Sequence, residues 1–314
     1  TKAHKNSMQK PTIEASNVSK AYQGHTALDG LSVQIPKGSI YGLLGPNGAG
    51  KTTFIRLLNQ ITAPDSGHIL FDGEPLKPSD VQRIGYLPEE RGLYKKMKVG
   101  EQAMYLARLK GLSDSQAREK LKYWFEKFEI GPWWNKKIEE LSKGMAQKIQ
   151  FITTVLHDPE LLIFDEPFSG FDPINTNLIK AEIQELRKNG ATVIFSTHRM
   201  ESVEEICDHI ALINQSKKVL EGSVEKIRND YRSHRYVISG IPATDALEFP
   251  PNIVKESAKT MKGHVSLTVK VNEEVSTNQL IQTLLPQMEI HDFKEVIPSV
   301  NDIFIQRVQG KSQE

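Results

Sequence analysis

Residues 45–52 read Gly-Pro-Asn-Gly-Ala-Gly-Lys-Thr and match the pattern G-x-x-x-x-G-K-[ST]. The apolar run Ile40–Leu44 precedes them, and a helical stretch, residues 53–60, follows. In this setting the glycines let backbone amides turn towards phosphate oxygens, and the helix N-terminus adds a positive partial charge. Lys51 would place its charge on the β- and γ-phosphates, and Thr52 would offer a hydroxyl to Mg²⁺. The sequence therefore predicts that a nucleotide phosphate group is bound by Gly45, Pro46, Asn47, Gly48, Ala49, Gly50, Lys51, Thr52 and Thr53.

A second apolar run, residues 161–164, ends in two adjacent carboxylates, Asp165 and Glu166. Open α/β sheets bind their ligands at the carboxyl ends of the strands. Asp165 is suited to hold Mg²⁺ through water, and Glu166 to polarise an attacking water as general base. A solvated strand end is the alternative, but the upstream phosphate loop favours the catalytic interpretation.

These motifs resemble those of the ABC-type ATPase family. Residues 141–145, LSKGM, are similar to the family's signature LSGGQ, although Lys143 and Met145 depart from it. The resemblance implies that Ser142 and Gly144 bind the γ-phosphate held by an opposite subunit, and a helix dipole gives a physical reason. Without the resemblance, an ordinary helix N-cap would explain LSKGM equally well. Residues 169–172, SGFD, occupy the D-loop position, which adds Asp172 to the implied nucleotide site.

Two further residues match family positions near the nucleotide. His198 closes an apolar strand and resembles the switch histidine that contacts the γ-phosphate and the catalytic water. Tyr22 matches the aromatic residue that stacks on adenine, an interaction worth about 1 to 3 kcal/mol per base in nucleic-acid systems. A structural histidine and a core tyrosine are the alternatives for these two residues.

Glu89, in the sequence GYLPE of residues 85–89, stands where the family usually has a glutamine. An ionised carboxylate only accepts hydrogen bonds and carries a charge, so Glu89 would be a stronger Mg²⁺ ligand than an amide. We therefore predict a metal site formed by Thr52, Glu89 and Asp165. The alternative is that Glu89 is solvated and that Glu90 or Arg91 makes the relevant contacts.

The pattern of apolar segments predicts an α/β fold, an ABC-type phosphate-loop ATPase core. Alternating positions in residues 13–35 indicate antiparallel strands, and compact apolar runs at 161–164, 192–195 and 209–213 indicate a parallel sheet with crossover helices. Residues from about 95 to 157 show helical periodicity and predict a helical subdomain.

The character of the chain changes after residue 229. Strand-like segments then alternate with two helical ones, which predicts a small α+β domain. A ferredoxin-like arrangement is one candidate for it. The predicted organisation is a flexible N-terminus at 1–12, an ABC ATPase domain at 13–229 and a C-terminal accessory or regulatory domain at 235–314.

Composition narrows the class of protein. Charged residues make up 25% of the chain and the net charge is +1, so no nucleic-acid partner is expected. The single cysteine, Cys207, excludes an intrachain disulfide and fits a reducing compartment. No apolar run approaches the roughly 18 residues of a membrane span. We expect a chain that is soluble by itself and reaches the cytoplasmic face of a membrane through another polypeptide.

One phosphate loop and one signature per chain imply, by the resemblance, a dimer with a second ATPase subunit that hydrolyses ATP with Mg²⁺. Residues 86–94, YLPEERGLY, together with LSKGM and the short C-terminal domain, resemble bacterial two-component exporters, including sodium-extruding systems. This implies an integral membrane permease encoded separately. The alternatives are export of a drug, peptide or lipid by the same architecture, and a soluble ABC ATPase that remodels a macromolecular complex.

Overall fold

The computed structural model describes residues 10–90, 92–168, 171–198, 200–244, 246–261 and 263–309. The chain divides into two compact units between Val224 and Glu225. The strands of the larger unit are β1 (Ile13–Tyr22), β2 (His25–Ile35), β3 (Ile40–Leu44), β4 (Ser66–Phe71), β5 (Glu74–Pro75), β6 (Ile84–Leu87), β7 (Leu161–Asp165), β8 (Thr192–Thr197), β9 (His209–Asn214) and β10 (Lys217–Ser223). Its helices are α1 (Lys51–Leu58), α2 (Val99–Leu109), α3 (Asp114–Lys127), α4 (Lys143–Val155), α5 (Pro173–Lys188) and α6 (Glu201–Ile206).

The central sheet of the larger unit has the strand order β10-β9-β3-β8-β7-β6. The strands from β9 to β6 run parallel, and β10 is antiparallel to β9. Every residue of β3, β7 and β8 is buried, as expected for parallel strands covered on both faces. The predicted parallel sheet is confirmed, and the carboxyl ends of β3, β7 and β8 lie at the same edge.

A second sheet of the larger unit is antiparallel, with the order β2-β1-β4-β5. It confirms the strands predicted in residues 13–35. The last residue of the predicted N-terminal segment, Thr12, is buried, and its hydroxyl lies 2.8 Å from that of Thr192 at the start of β8. Residues 1–9 of that segment lie outside the described residues.

Helices α2, α3 and α4 occupy the stretch where helical periodicity was found. Aromatic side chains join them to the central sheet: Trp124 on α3 lies 6.0 Å from Phe151 on α4, and Phe151 stacks at 5.7 Å on Phe164 of β7. This packing fixes α4, which begins within the LSKGM motif, against the strand that ends in Asp165.

The smaller unit contains the strands β11 (Arg235–Pro242), β12 (Ile253–Met261), β13 (His264–Val271) and β14 (Met288–Val296), with the helices α8 (Thr277–Leu284) and α9 (Val300–Gln309). A further helix, α7 (Val224–Asp230), begins at the boundary between the units. The strands form an antiparallel sheet in the order β12-β13-β11-β14. Its core includes Ile238, Leu267 and Leu280, so the expected α+β character is present.

Two features of the smaller unit differ from the sequence-based expectation. A ferredoxin-like β-α-β-β-α-β unit has a helix between its first two strands, whereas the described residues of segment 243–252 form none. Strand β12 was not predicted. Only its first residue, Ile253, is buried, so the strand lacks the apolar alternation that reveals a half-buried strand.

No helix in the described parts of the chain combines the length and apolar character needed to span a membrane.

The central sheet should carry much of the stability of the larger unit. Ile163, in the middle of β7, is 0% exposed, whereas Ile174 on α5 is 82% exposed. We expect Ile163→Ala to lower the free energy of unfolding of the larger unit by about 2 to 5 kcal/mol, because it leaves a cavity in a fully covered strand. The matched control Ile174→Ala should stay within about 0.5 kcal/mol. Urea unfolding followed by circular dichroism measures both, and equal losses would contradict the assigned core.

Candidate nucleotide-binding site

A cavity of about 420 Å³ in the larger unit collects most of the predicted site residues. It opens where β3, β7 and β8 end, as the position of the two carboxylates predicted. Three of its residues, His25, Ala27 and Arg56, were not singled out from the sequence. The residues that line it are Tyr22, His25, Ala27, Asn47, Gly48, Gly50, Lys51, Thr52, Thr53, Arg56, Glu89, Asp165, Glu166 and His198.

The phosphate loop joins β3 to α1 and requires glycine at two positions. Gly45 has a φ of 148° and Gly50 a φ of 113°, both in the region that favours glycine. A Cβ atom at Gly45 would lie 2.0 Å from the Ile213 carbonyl oxygen, and one at Gly50 would lie 2.4 Å from that of Ala27. The loop is therefore closed tightly on β9 and β2, and α1 begins directly after it at Lys51.

Lys51 is buried within the loop. Its ammonium group donates to the carbonyl oxygens of Gly45 at 2.7 Å and Pro46 at 3.1 Å. Burial lowers the pKa of Lys51, while the nearby carboxylates of Glu166, Asp165 and Glu89 act in the opposite direction. The loop thus holds a cation at its centre, and the three acidic side chains line the same cavity.

Thr52 and Asp165 form the inner end of the cavity. The Thr52 hydroxyl donates to Asp165 Oδ2 at 3.3 Å. Asp165 is 3% exposed, and burial raises its pKa, with the carboxylates of Glu89 and Glu166 adding to the shift. A buried carboxylate in contact with a hydroxyl, in a cavity that Glu89 and Glu166 also line, offers hard oxygen ligands and excess negative charge. These groups fit Mg²⁺.

Glu166 is held by three donors from the end of β8. Its Oε1 accepts hydrogen bonds from the His198 backbone amide at 2.8 Å and from His198 Nδ1 at 2.5 Å, and its Oε2 accepts one from the Thr197 hydroxyl at 3.1 Å. The backbone of Glu166 is left-handed, with a φ of 48°. Such a conformation is costly for a residue other than glycine and is often found at functional sites. It turns the chain away from β7 so that the carboxylate faces the cavity.

Glu89 and Tyr22 lie on the rim. Glu89 is exposed and follows β6, next to Glu90, and Arg91 lies outside the described residues. Tyr22 is 38% exposed, and its ring has Lys20 Nζ at 5.5 Å from its centroid. The structure therefore brings both residues to the cavity that contains the phosphate loop.

Ser142, Gly144 and Asp172 are not among the described residues that line this cavity. Ser142 is the N-cap of α4, and its hydroxyl accepts from the Met145 amide at 3.3 Å. A Cβ atom on Gly144 would meet nothing within 4 Å, so the start of α4 is open. Asp172 is the N-cap of α5 and accepts from the Asn175 amide at 2.9 Å. Ser169 and Gly170 of the predicted D-loop lie outside the described residues.

His25 and Arg56 could have been found from local signals. His25 follows the Gln23-Gly24 pair, which marks a two-residue hairpin turn and so places His25 opposite Tyr22. Arg56 lies on α1 one turn after Thr52, which brings it to the same face of the helix. Ala27 lies two residues after His25 on β2, and Gly50 approaches its carbonyl group closely.

Comparison with known proteins finds related families for two segments of the chain and a relative that matches most of it. The family described as "ABC transporter" matches residues 28–169, and the family described as "ATP-binding protein DrrA1-3-like, C-terminal domain" matches residues 222–308. An uncharacterized ABC transporter ATP-binding protein of Bacillus subtilis (strain 168), YhaQ, is 42% identical over 93% of this chain and 97% of its own length.

Two further similarities each cover about two thirds of this chain. The Nod factor export ATP-binding protein I of Cupriavidus metallidurans is 34% identical over 68% of this chain and 72% of its own length. A solved structure of an "ATP binding subunit of ABC transporter" superposes with a TM-score of 0.66 at 27% identity, over 70% of this chain and 93% of that chain. With its phosphate loop, its paired carboxylates and these relatives, the chain belongs to the family of ABC transporter ATP-binding proteins, which bind and hydrolyse ATP.

Proposed function

We propose that this chain is the ATP-binding subunit of an ABC exporter, which pairs with a second such subunit and drives a separate membrane permease. The observation that carries the proposal is the division of the predicted site. The phosphate loop and the carboxylates line one cavity, whereas Ser142 and Gly144 lie at the open start of α4, outside it. A site divided in this way is completed by a second copy or by a similar subunit.

Within one chain we assign the metal site to Thr52, Asp165 and Glu89. Mg²⁺ bound there would neutralise charge on the β- and γ-phosphates of ATP. Lys51 and the loop amides bind the same phosphates, and Tyr22 stacks on adenine. The support for this assignment is that all these side chains line one cavity and that Asp165 is buried beside other acidic groups.

For hydrolysis we assign Glu166 as the general base. Its carboxylate is the group that faces the cavity while Asp165 is occupied by Mg²⁺, and His198 and Thr197 hold it in place. His198 also lines the cavity, which supports a role for it at the γ-phosphate. A positioned general base typically contributes a factor of about 10² to 10⁴ to the rate.

We assign Ser142, Gly144 and Asp172 to the nucleotide bound by the second subunit. The N-terminus of α4 offers backbone amides and a positive partial charge, which suit a γ-phosphate. Ser142 is exposed there. In this arrangement residues 13–229 form the ATPase domain, and residues 235–314 form an accessory domain that regulates or stabilises the dimer.

The first test replaces the general base. Glu166→Gln keeps the shape of the side chain but removes its basicity, so turnover should fall at least about 100-fold while ATP binding is retained. The mutant should accumulate as an ATP-bound dimer, which size-exclusion chromatography detects. Glu126→Gln, at a residue whose side chain is 69% exposed on α3, is the matched control and should keep wild-type turnover. Steady-state phosphate release near the wild-type rate in Glu166→Gln would show that another group activates the water.

We propose that the complex exports its cargo and that the cargo is sodium. The support is the resemblance of residues 86–94 and 141–145 to bacterial two-component exporters and the similarity to a Nod factor export protein. A drug, a peptide or a lipid is the alternative cargo. We place the subunit at the cytoplasmic face of the cell membrane, attached through its permease.

Purification from native membranes tests this assignment. We expect a multi-span membrane protein to co-purify in a complex of two permease and two ATPase subunits, and we expect ATP-driven sodium flux from proteoliposomes that contain it. Flux of another cargo would retain export and reject sodium. A stable complex with a protein or nucleic acid and no membrane subunit would instead support an ATPase that remodels macromolecules.

Glu89 gives a test of coupling to the permease. In the complete complex, Glu89→Ala should keep ATP binding. Its transport rate and the stimulation of its ATPase activity by the permease should each fall about tenfold or more, a loss within the usual range of coupling between sites. Glu89→Gln should be milder because it keeps an oxygen ligand. Glu90→Ala is the neighbouring control. ATPase activity and cargo flux are measured on the same samples, and unchanged transport in Glu89→Ala would remove Glu89 from the coupling pathway.

A further inference from the structure

The turn between β1 and β2 forms one wall of the nucleotide cavity. Tyr22 and His25 are paired directly across the hairpin, and only Gln23 and Gly24 separate them. Both turn residues have positive φ angles, 43° and 84°, as a type I′ turn requires. Residues directly opposite each other on two antiparallel strands project their side chains to the same face. Tyr22 and His25 therefore stand side by side, and both line the cavity.

An ion pair next to this hairpin fixes Tyr22. Asp65 Oδ1 lies 2.6 Å from Lys20 Nζ, and Asp65 Oδ2 accepts a hydrogen bond from the Ala21 amide at 2.7 Å. Lys20 Nζ also lies 5.5 Å from the centroid of the Tyr22 ring, within the range of a cation–π contact. The strand is thus held at the residue just before Tyr22. Because the turn is tight, fixing Tyr22 also fixes the position of His25.

The imidazole of His25 is available for a ligand. Across the described parts of the chain, neither of its ring nitrogens has a hydrogen-bond partner, whereas the ring of His198 is bonded to Glu166. A neutral imidazole offers one donor and one acceptor. The phosphate-binding groups of the cavity are those of the loop that ends in Lys51 and Thr52, so a nucleotide bound there with its base on Tyr22 presents its nucleoside part to the hairpin.

We propose that His25 is a nucleoside contact, which hydrogen-bonds the sugar or the base edge of the nucleotide whose base stacks on Tyr22. This inference rests on the proposed nucleotide site and adds a residue to it. It assigns His25 to the neutral part of the ligand. A His25 that binds phosphate is the competing arrangement. The two arrangements differ in which ligands bind more weakly when the side chain is removed.

The test compares a ligand with a nucleoside to one without. Isothermal titration calorimetry with ADP and with tripolyphosphate, both with Mg²⁺, is carried out on the full-length wild type, His25→Ala and the control His68→Ala. His68 is an exposed histidine on β4 of the same sheet and does not line the cavity. His25→Ala should weaken ADP binding about 2- to 10-fold, the loss expected for one hydrogen bond, and leave tripolyphosphate binding unchanged. His68→Ala should match the wild type for both ligands.

Two results would overturn the proposal. One is ADP binding of wild-type strength in His25→Ala, and the other is an equal loss for tripolyphosphate, which would identify a phosphate contact. His25→Gln keeps a donor and an acceptor and should recover part of the ADP affinity. Unchanged tripolyphosphate binding also shows that the variant is folded. Lys51→Ala separates this inference from the proposed site: it should weaken both ligands, and if it weakens neither, the phosphate-loop assignment fails regardless of His25.

Discussion

The register of three parallel strands determines where every catalytic group can lie. Leu44 at the end of β3 pairs with Thr197 of β8, and Asp165 at the end of β7 pairs with Ser196 of the same strand. The chain therefore leaves all three strands at one level. The phosphate loop starts beside His198, and Glu166 emerges on the other side of His198, because β8 lies between β3 and β7. A shift of β7 by one residue would turn its side chains to the other face and carry Asp165 away from Thr52.

The same arrangement concentrates negative charge. Three carboxylates surround Lys51, and burial raises the pKa of Asp165 because its ionised form loses hydration. A buried carboxylate without a compensating cation costs free energy. Thr52 and the Lys51 ammonium offset part of that cost within the chain. A divalent cation offsets more, so the electrostatics that would burden folding favour metal binding in the proposed mechanism.

Local patterns made much of this site predictable, and the exceptions have physical causes. The glycines of the phosphate loop, the apolar runs of β3 and β7 and the adjacent carboxylates each depend on residues close in sequence. Strand β12 escaped prediction because an edge strand that buries only Ile253 carries no apolar alternation. Residues 243–252, before β12, follow neither the helical nor the strand period, and their described residues form no helix. The close approach of Gly50 to the Ala27 carbonyl group is a contact between the phosphate loop and β2 that no local pattern predicts.

The position of α4 supports nucleotide sites that are shared between two chains. Trp124, Phe151 and Phe164 pack α3 and α4 on the strand that ends in Asp165, so the signature is fixed to the catalytic strand of its own chain. The residues at its open end, Ser142 and Gly144, are nevertheless not among the described residues that line that chain's cavity. In the proposed dimer each chain would contribute the phosphate loop and carboxylates of one nucleotide site and the signature of the other. Pairing two chains would then assemble both sites. In the proposed complex the cavity residues bind nucleotide and metal and the permease binds the cargo, so the same cavity is compatible with different cargoes.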